Sequence, residues 1–156
     1  MATVDREALV RDNRRISIQI EQISNNSLAK QGLTAMQANM LQYILRHSDR
    51  GTSLTAIHRE YGYSMAALSG MLKRLRKKGY VRVEPCDNDD RRKLLFGTEQ
   101  GEEVREYLES SMDVAQERLY DCFSTEELET LDRLQKKMLQ NLSALSGKKH
   151  KEASES

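Results

Sequence analysis

Apolar residues recur along this chain at three- and four-residue steps, and only one short stretch alternates instead. Leu9, Ile16, Ile20 and Ile23 form one stripe and predict a first helix from Thr3 to about Leu28. Gln31-Gly32 ends it, glycine being favoured just past a helix C-terminus. Thr34-Ala-Met-Gln37 reads as a capping box, in which the Thr hydroxyl and the Gln side chain satisfy each other's free backbone N–H groups. The helix it opens carries Met40, Leu41, Ile44 and Leu45 at core spacing and stops near Asp49-Arg50-Gly51. Ser53 caps a short third helix through Glu60, and Tyr61-Gly62-Tyr63 makes a tight turn. Ser64 then caps a fourth helix that runs through Lys78 and is closed by Gly79.

The alternating stretch follows. Val81-Arg82-Val83-Glu84 has the period of a half-buried strand, and Pro85, which cannot donate to a ladder, marks its end. Cys86 to Arg92 form a polar turn, and Lys93-Leu94-Leu95-Phe96 return as the second strand. Thr98 opens a fifth helix with Val104, Leu108, Met112, Ala115 and Leu119 on one side. Ser124-Thr-Glu-Glu127 is a second capping box, opening a sixth helix with Leu128, Leu131, Leu134, Met138, Leu142 and Leu145 on its stripe. The tail over 146–156 is small and charged and is expected to be disordered.

This order predicts a mainly α (α+β) fold, a winged helix-turn-helix with long terminal helices. Residues 33–97 form the winged helix-turn-helix, with an N-terminal helix over 1–30 and C-terminal helices over 98–145. The terminal elements carry more apolar stripe than one small domain can bury, so they are expected to be dimerisation helices.

A helix-turn-helix places its second helix in the major groove of duplex DNA, N-terminal residues against base edges. Here that helix divides into two faces. Leu68, Met71, Leu72 and Leu75 point to the core, while Met65, Ala66, Ser69, Gly70 and Lys73 point away. Small residues on the outward face let the backbone come close to DNA, and Arg74 and Lys77 can reach flanking phosphates. The face has no Arg, Gln or Asn in its first turns, so specificity leans on DNA shape as well as base contacts. Arg91 and Arg92 at the hairpin tip suit a narrow minor groove, or pair with Asp87, Asp89 and Asp90.

Charge bears on this reading through its distribution. The 156-residue chain is only +1 overall, but residues 57–93 hold ten basic and five acidic side chains, leaving the flanks net acidic. With 38% hydrophobic and 31% charged residues, one Pro and eight Gly, the composition suits amphipathic helices rather than an all-β fold. No apolar run suggests a signal peptide or a membrane helix. Cys86 and Cys122 make no disulfide framework, so a reducing cytoplasm is the expected compartment.

The run Leu33-Thr34-Ala-Met-Gln37 with Leu41, then Leu75 to Val81, then Asp87-Asn-Asp-Asp90-Arg-Arg92 and Thr98-Glu-Gln-Gly101, resembles the MarR family of bacterial transcription factors. With the flanking helices the likeness covers about residues 5 to 145. It implies an obligate homodimer whose first, fifth and sixth helices interlock, and two recognition helices on a pseudo-palindromic site in double-stranded DNA. It further implies a repressor that releases DNA when a small, often phenolic, effector or an oxidant alters the spacing of its lobes. By position, Ser64 opens the recognition helix, and Met65, Ala66, Ala67, Ser69 and Gly70 fall at base contacts. Lys73 and Arg74 fall toward the backbone, Arg91 and Arg92 in the wing, and Asp87 and Asp90 where the wing Arg is steadied. The chain departs from the family at Ala66, Ala67 and Gly70, which replace polar residues. It also has Gly97 where Leu is usual, so a looser strand end is expected, and His58 in place of Ala, packed at the helix edge.

Two alternatives stay open: a winged-helix module that binds a protein rather than DNA, and a redox sensor at Cys86, near Arg91 and Arg92. His47, His58 and His150 lie too far apart, without the partners zinc needs, so neither metal nor cofactor is expected. The carboxylate pairs Glu102-Glu103 and Glu126-Glu127 sit at helix starts and point to different faces, so no catalytic residue is assigned. Met36, Met40, Met112 and Met138 are read as core filling, with an adaptable ligand cleft as the other reading.

Overall fold

The computed structural model describes residues 3–86 and 89–155, with side chains over 3–85 and 93–145. The chain forms two units, Met1–Leu119 and Tyr120–Ser156.

In the first unit, α1 (Arg6–Leu28) begins where the Asp5 carboxylate accepts from the N–H groups of Glu7 at 2.9 Å and Ala8 at 3.2 Å. It starts three residues later than the apolar pattern suggests, at the point where Asp5 supplies the cap. A single 3₁₀ turn, Ala29–Gln31, ends at left-handed Gly32. The Thr34/Gln37 capping box forms with both bonds at 3.2 Å and opens α2 (Ala35–Arg46). Met40, Leu41 and Ile44 of α2 are fully buried, which makes it the central helix. α3 (Leu54–Tyr61) and α4 (Met65–Lys77) follow, joined through Gly62 at φ 75°. Ile57 of α3 and Leu68 and Leu75 of α4 lock both against α2 in one core with Leu28, Val81, Leu95 and Leu108. Each such side chain, buried from water, contributes about 1.5–3 kcal/mol.

Strands β1 (Val81–Cys86) and β2 (Asp89–Gly97) pair antiparallel from Val81↔Gly97 to Pro85↔Lys93, and the register slips before Cys86↔Asp89. Both are longer than the alternation predicts, taking in Cys86 and 89–92 of the expected polar turn, of which Cys86 and Asp89 pair. Pro85 lies inside the strand, tolerated beside the irregularity of a two-stranded sheet. Thr52 exchanges two backbone hydrogen bonds with Leu95, at 3.0 and 2.8 Å, and ties the hairpin to the α2–α3 connection.

The predicted fifth helix is two helices, α5 (Glu99–Glu103) and α6 (Arg105–Leu119), broken at Val104. The short piece is held to the hairpin base: Thr98 donates through its N–H to Tyr80 O at 3.0 Å and through its hydroxyl to Gly79 O at 2.6 Å. α6 instead turns Leu108 and Ala115 inward and packs along α1. Gly97 does not loosen the strand end. Its N–H donates to Ser48 Oγ at 2.9 Å, and a Cβ there would stand 2.4 Å from Leu45 Cδ2. Along α1 only Ser24 and Leu28 are buried, while Leu9 and Ile16 remain about half exposed.

In the second unit, Cys122 adopts a left-handed φ of 64° in the turn before α7 (Thr125–Glu155). The Ser124/Glu127 capping box forms with bonds of 3.0 and 3.1 Å. Leu134, Met138, Leu142 and Leu145 are all exposed on α7. The helix runs on to Glu155, where a disordered tail from Ser146 was expected.

Candidate nucleic-acid interface

The outward face of α4 is set by what lies behind it. Ser64, in extended conformation, accepts from Ala67 N–H at 3.1 Å, which fixes where the helix starts. Leu68 and Leu75 at 0% exposure and Met71 at 6% then fix its rotation. What remains outside is Met65, Ala66, Ser69, Gly70, Lys73 and Arg74, all exposed. Ala67 departs from the expected contact set: it is half-buried and packs against the core. A Cβ built at Gly70 meets nothing within 4 Å, so the middle of this face is open. Arg74, Arg76 and Lys77 lie in the last turn, where cations meet the helix dipole favourably and still reach outward.

Residues 89–92 belong to β2, so Asp90, Arg91 and Arg92 take their places on the wing. Asp87 and the side chains of Cys86, Asp90, Arg91 and Arg92 lie outside the described residues. Lower on the wing, Arg82 stacks its guanidinium 4.4 Å above the Phe96 ring and pairs with Glu84. The alternation that identifies the strand carries no sign of this contact, because it depends on cross-strand register.

The turn before α4 is also braced in ways the sequence reading missed. His58 donates from Nδ1 to Tyr63 O at 2.6 Å, so it does more than pack at the helix edge. Asn39 of α2 donates to the Tyr63 hydroxyl at 2.9 Å. The rings of Tyr61 and Tyr63 are parallel to within 5°, with centroids 5.6 Å apart. Burial raises the Tyr61 pKa, against the opposing pull of Arg46, so its hydroxyl stays protonated.

These two tyrosines form part of the wall of a cavity of about 710 Å³ within the first unit, open to solvent on one side and lined by α1, α2, α6 and this turn. Met36 and Met112 line it, whereas Met40 is core and Met138 is exposed on α7. Met36 and Met112 also pack against the core, so core filling describes Met40 fully and these two in part.

The family model described as MarR family matches residues 31–92, from the end of α1 into the wing. Among solved structures, the Staphylococcus aureus MepR–DNA complex aligns with TM-score 0.74 and 26% identity, over 83% of this chain and 92% of that one. A putative MarR-family transcriptional regulator from Listeria monocytogenes, complexed with a 26mer DNA, aligns with TM-score 0.80 and 22% identity, over 92% and 91%. The reduced form of MarR from E. coli shares the fold at TM-score 0.66 and 24% identity, over 89% and 99%. No curated protein sequence matches the chain.

Proposed function

We propose that this chain, which belongs to the MarR family, is a dimeric transcriptional repressor that reads a pseudo-palindromic duplex through α4 and the wing and lets go when a small molecule binds. The observation that carries the reading is the open face of α4. Capped at Ser64 and clamped behind by Leu68, Met71 and Leu75, the helix offers small residues at its centre and cations at its end. Small residues permit close approach of the backbone, and the helix N-terminus favours phosphate oxygens. MepR and the Listeria protein, with the same fold, are both solved on DNA.

Dimerisation is supported by the apolar side chains left uncovered. Leu9, Ile16 and Ile18 on α1, and Leu134, Met138 and Leu145 on α7, are each at least two-fifths exposed, on helices expected to pair with a second copy. In this proposal residues 1–30 and 98–145 hold the dimer and 33–97 hold DNA, with Ser64, Met65, Ala66, Ser69 and Gly70 at the bases. Ala67 supports them from behind, Lys73, Arg74, Arg91 and Arg92 meet the backbone and minor groove, and Asp87 and Asp90 steady the wing. The cavity beneath the turn before α4 is where the effector acts. No described helix is long and apolar enough to cross a membrane, and the cytoplasm is the proposed compartment.

The test is fluorescence anisotropy with the duplex immediately upstream of the protein's own gene. Affinity should fall steeply with salt, by a log–log slope of about −0.9 for each phosphate neutralised. Arg74→Ala should weaken binding to all duplexes and flatten that slope by about one, while sedimentation still shows a dimer. Absence of binding at low ionic strength would remove the reading and favour the protein-interaction module.

A further inference from the structure

We infer that the cavity of the first unit is a receptor site for an organic cation with an aromatic or apolar body, rather than for an anionic phenol. The inference rests on the ligand-responsive reading and adds the chemistry of the ligand.

Its floor is polar. Gln42 and Ser24 both line the cavity and are each 5% exposed. Among the described residues only Arg105 Nε is a fully buried side-chain polar atom without a partner, so the Gln42 amide keeps contact with solvent and can meet a guest's donor or acceptor. Its walls are apolar and aromatic, with Ile20, Met36 and Met112 and the stacked pair Tyr61 and Tyr63 among the lining residues. Tyrosine faces are negative and attract cations.

The charges decide the sign of the guest. The charged side chains lining the cavity are Glu21 on α1, Glu109 and Asp113 on α6, and Arg46 on α2, giving a net charge of −2. None of the three carboxylates forms an ion pair among the described residues. Arg46, the one opposing cation, acts on Tyr61 at one side of the cavity. An anion entering would meet three carboxylates, whereas a cation meets them with rings beside it. At about 710 Å³ the space is large enough for a drug-sized molecule.

The test is calorimetric titration of the full-length protein, without DNA, using two ions of nearly the same shape and opposite charge. Tetraphenylphosphonium should bind about tenfold or more tightly than tetraphenylborate, a difference of at least 1.4 kcal/mol. The E21Q/E109Q/D113N variant should lose most of that preference, and Arg46→Gln, which needs no carboxylate altered, should strengthen phosphonium binding. Proflavine, a planar cation with amino donors, should bind Gln42→Leu several-fold more weakly while phosphonium binds it unchanged. Borate binding as tightly as phosphonium, or phosphonium binding indifferent to both charge variants, would overturn the assignment. Because no DNA is present, failure here leaves the operator reading standing. Failure to bind DNA would likewise leave the titration intact.

Discussion

Replacing Gly70 with Ala adds one methyl group to the outward face of α4, and its effects on stability and on binding should have opposite signs. Gly70 lies in the helix interior, and a Cβ built there meets nothing within 4 Å. The folded chain therefore gains the full difference in helix propensity, about 0.8–1.0 kcal/mol, with no steric cost. For a chain of this size that raises Tm by about 2–4 °C. In the proposed complex, however, the same methyl stands between the helix backbone and the floor of the groove, flanked by Met65, Ala66, Ser69 and Lys73. Holding the backbone away from the bases should cost about 1–3 kcal/mol of binding, the scale of one mismatched base pair. Circular-dichroism melts at one fixed protein concentration read the first effect, the concentration being held because the Tm of a dimer depends on it. Anisotropy on the upstream duplex reads the second. A lowered Tm would mean that something covers Gly70, and unchanged or tighter DNA binding would refute close approach of this face.

Gly101→Ala should behave oppositely in the melt: its Cβ would stand 2.5 Å from the Tyr80 carbonyl oxygen, so overpacking of about 1–3 kcal/mol outweighs the propensity gain and Tm falls. An unchanged Tm would show that the hairpin base yields freely. Thr34→Ala removes half of a formed capping box and should cost about 0.5–2 kcal/mol in urea unfolding, and no loss would mean Asn25, which already accepts from Ala35 N–H at 2.6 Å, suffices as the cap. Glu127 accepts from Ser124 N–H and its pKa is lowered, so its support for the start of α7 is complete above the ordinary Glu pKa and lost as pH falls through the depressed value. An NMR titration should place its midpoint below the ordinary Glu value and raise it only part of the way in Ser124→Ala, which removes the hydroxyl but keeps the backbone N–H that is the larger cause, and an unshifted midpoint in the parent would contradict the capping role. Met138→Lys with Leu145→Lys, two exposed positions on α7, should yield a folded monomer with much weakened DNA binding, and an intact dimer by sedimentation would place the interface elsewhere.

What the sequence made legible was whatever local chemistry fixes. Thr34/Gln37 and Ser124/Glu127 are capping boxes in any context, and both form. The two faces of α4 follow from a period of 3.6 residues, and Leu68 and Leu75 are buried while Ser69 and Gly70 are exposed. What failed depended on partners distant in sequence. The break at Val104 arises because Thr98 is held by the carbonyls of Tyr80 and Gly79, eighteen and nineteen residues earlier, while Leu108 answers to the core. Periodicity alone cannot separate two helices that share a stripe. Gly97 seemed a loose end because the expectation counted a missing side chain, whereas the structure needs the space for Leu45. Family position puts Ala67 among base contacts, and its packing against the core depends on how α4 seats on the rest of the fold. The cavity was least visible, since Gln42, Glu109 and Tyr63 sit on separate elements and meet only in the fold.

The turn between α3 and α4 connects the two proposals physically. Tyr63 directly precedes the Ser64 cap, its ring lines the cavity, and its hydroxyl and carbonyl are held by Asn39 and His58. A guest that presses on the Tyr63 ring therefore bears on residues that set the start of α4. If it displaces the hydroxyl from Asn39, the cap position and the first turn can shift together, because Ser64 follows without an intervening residue. Linkage then imposes a symmetric requirement: if phosphonium weakens operator binding by some factor, operator must weaken phosphonium binding by the same factor. Asn39→Ala separates this route from simple competition for space. It removes the brace without removing carboxylates or rings, and because Asn39 also lines the cavity, the mutual weakening is read relative to the variant's own phosphonium affinity and should shrink. Equal mutual weakening in Asn39→Ala and the parent would mean that the turn is not the connection, even if both sites exist.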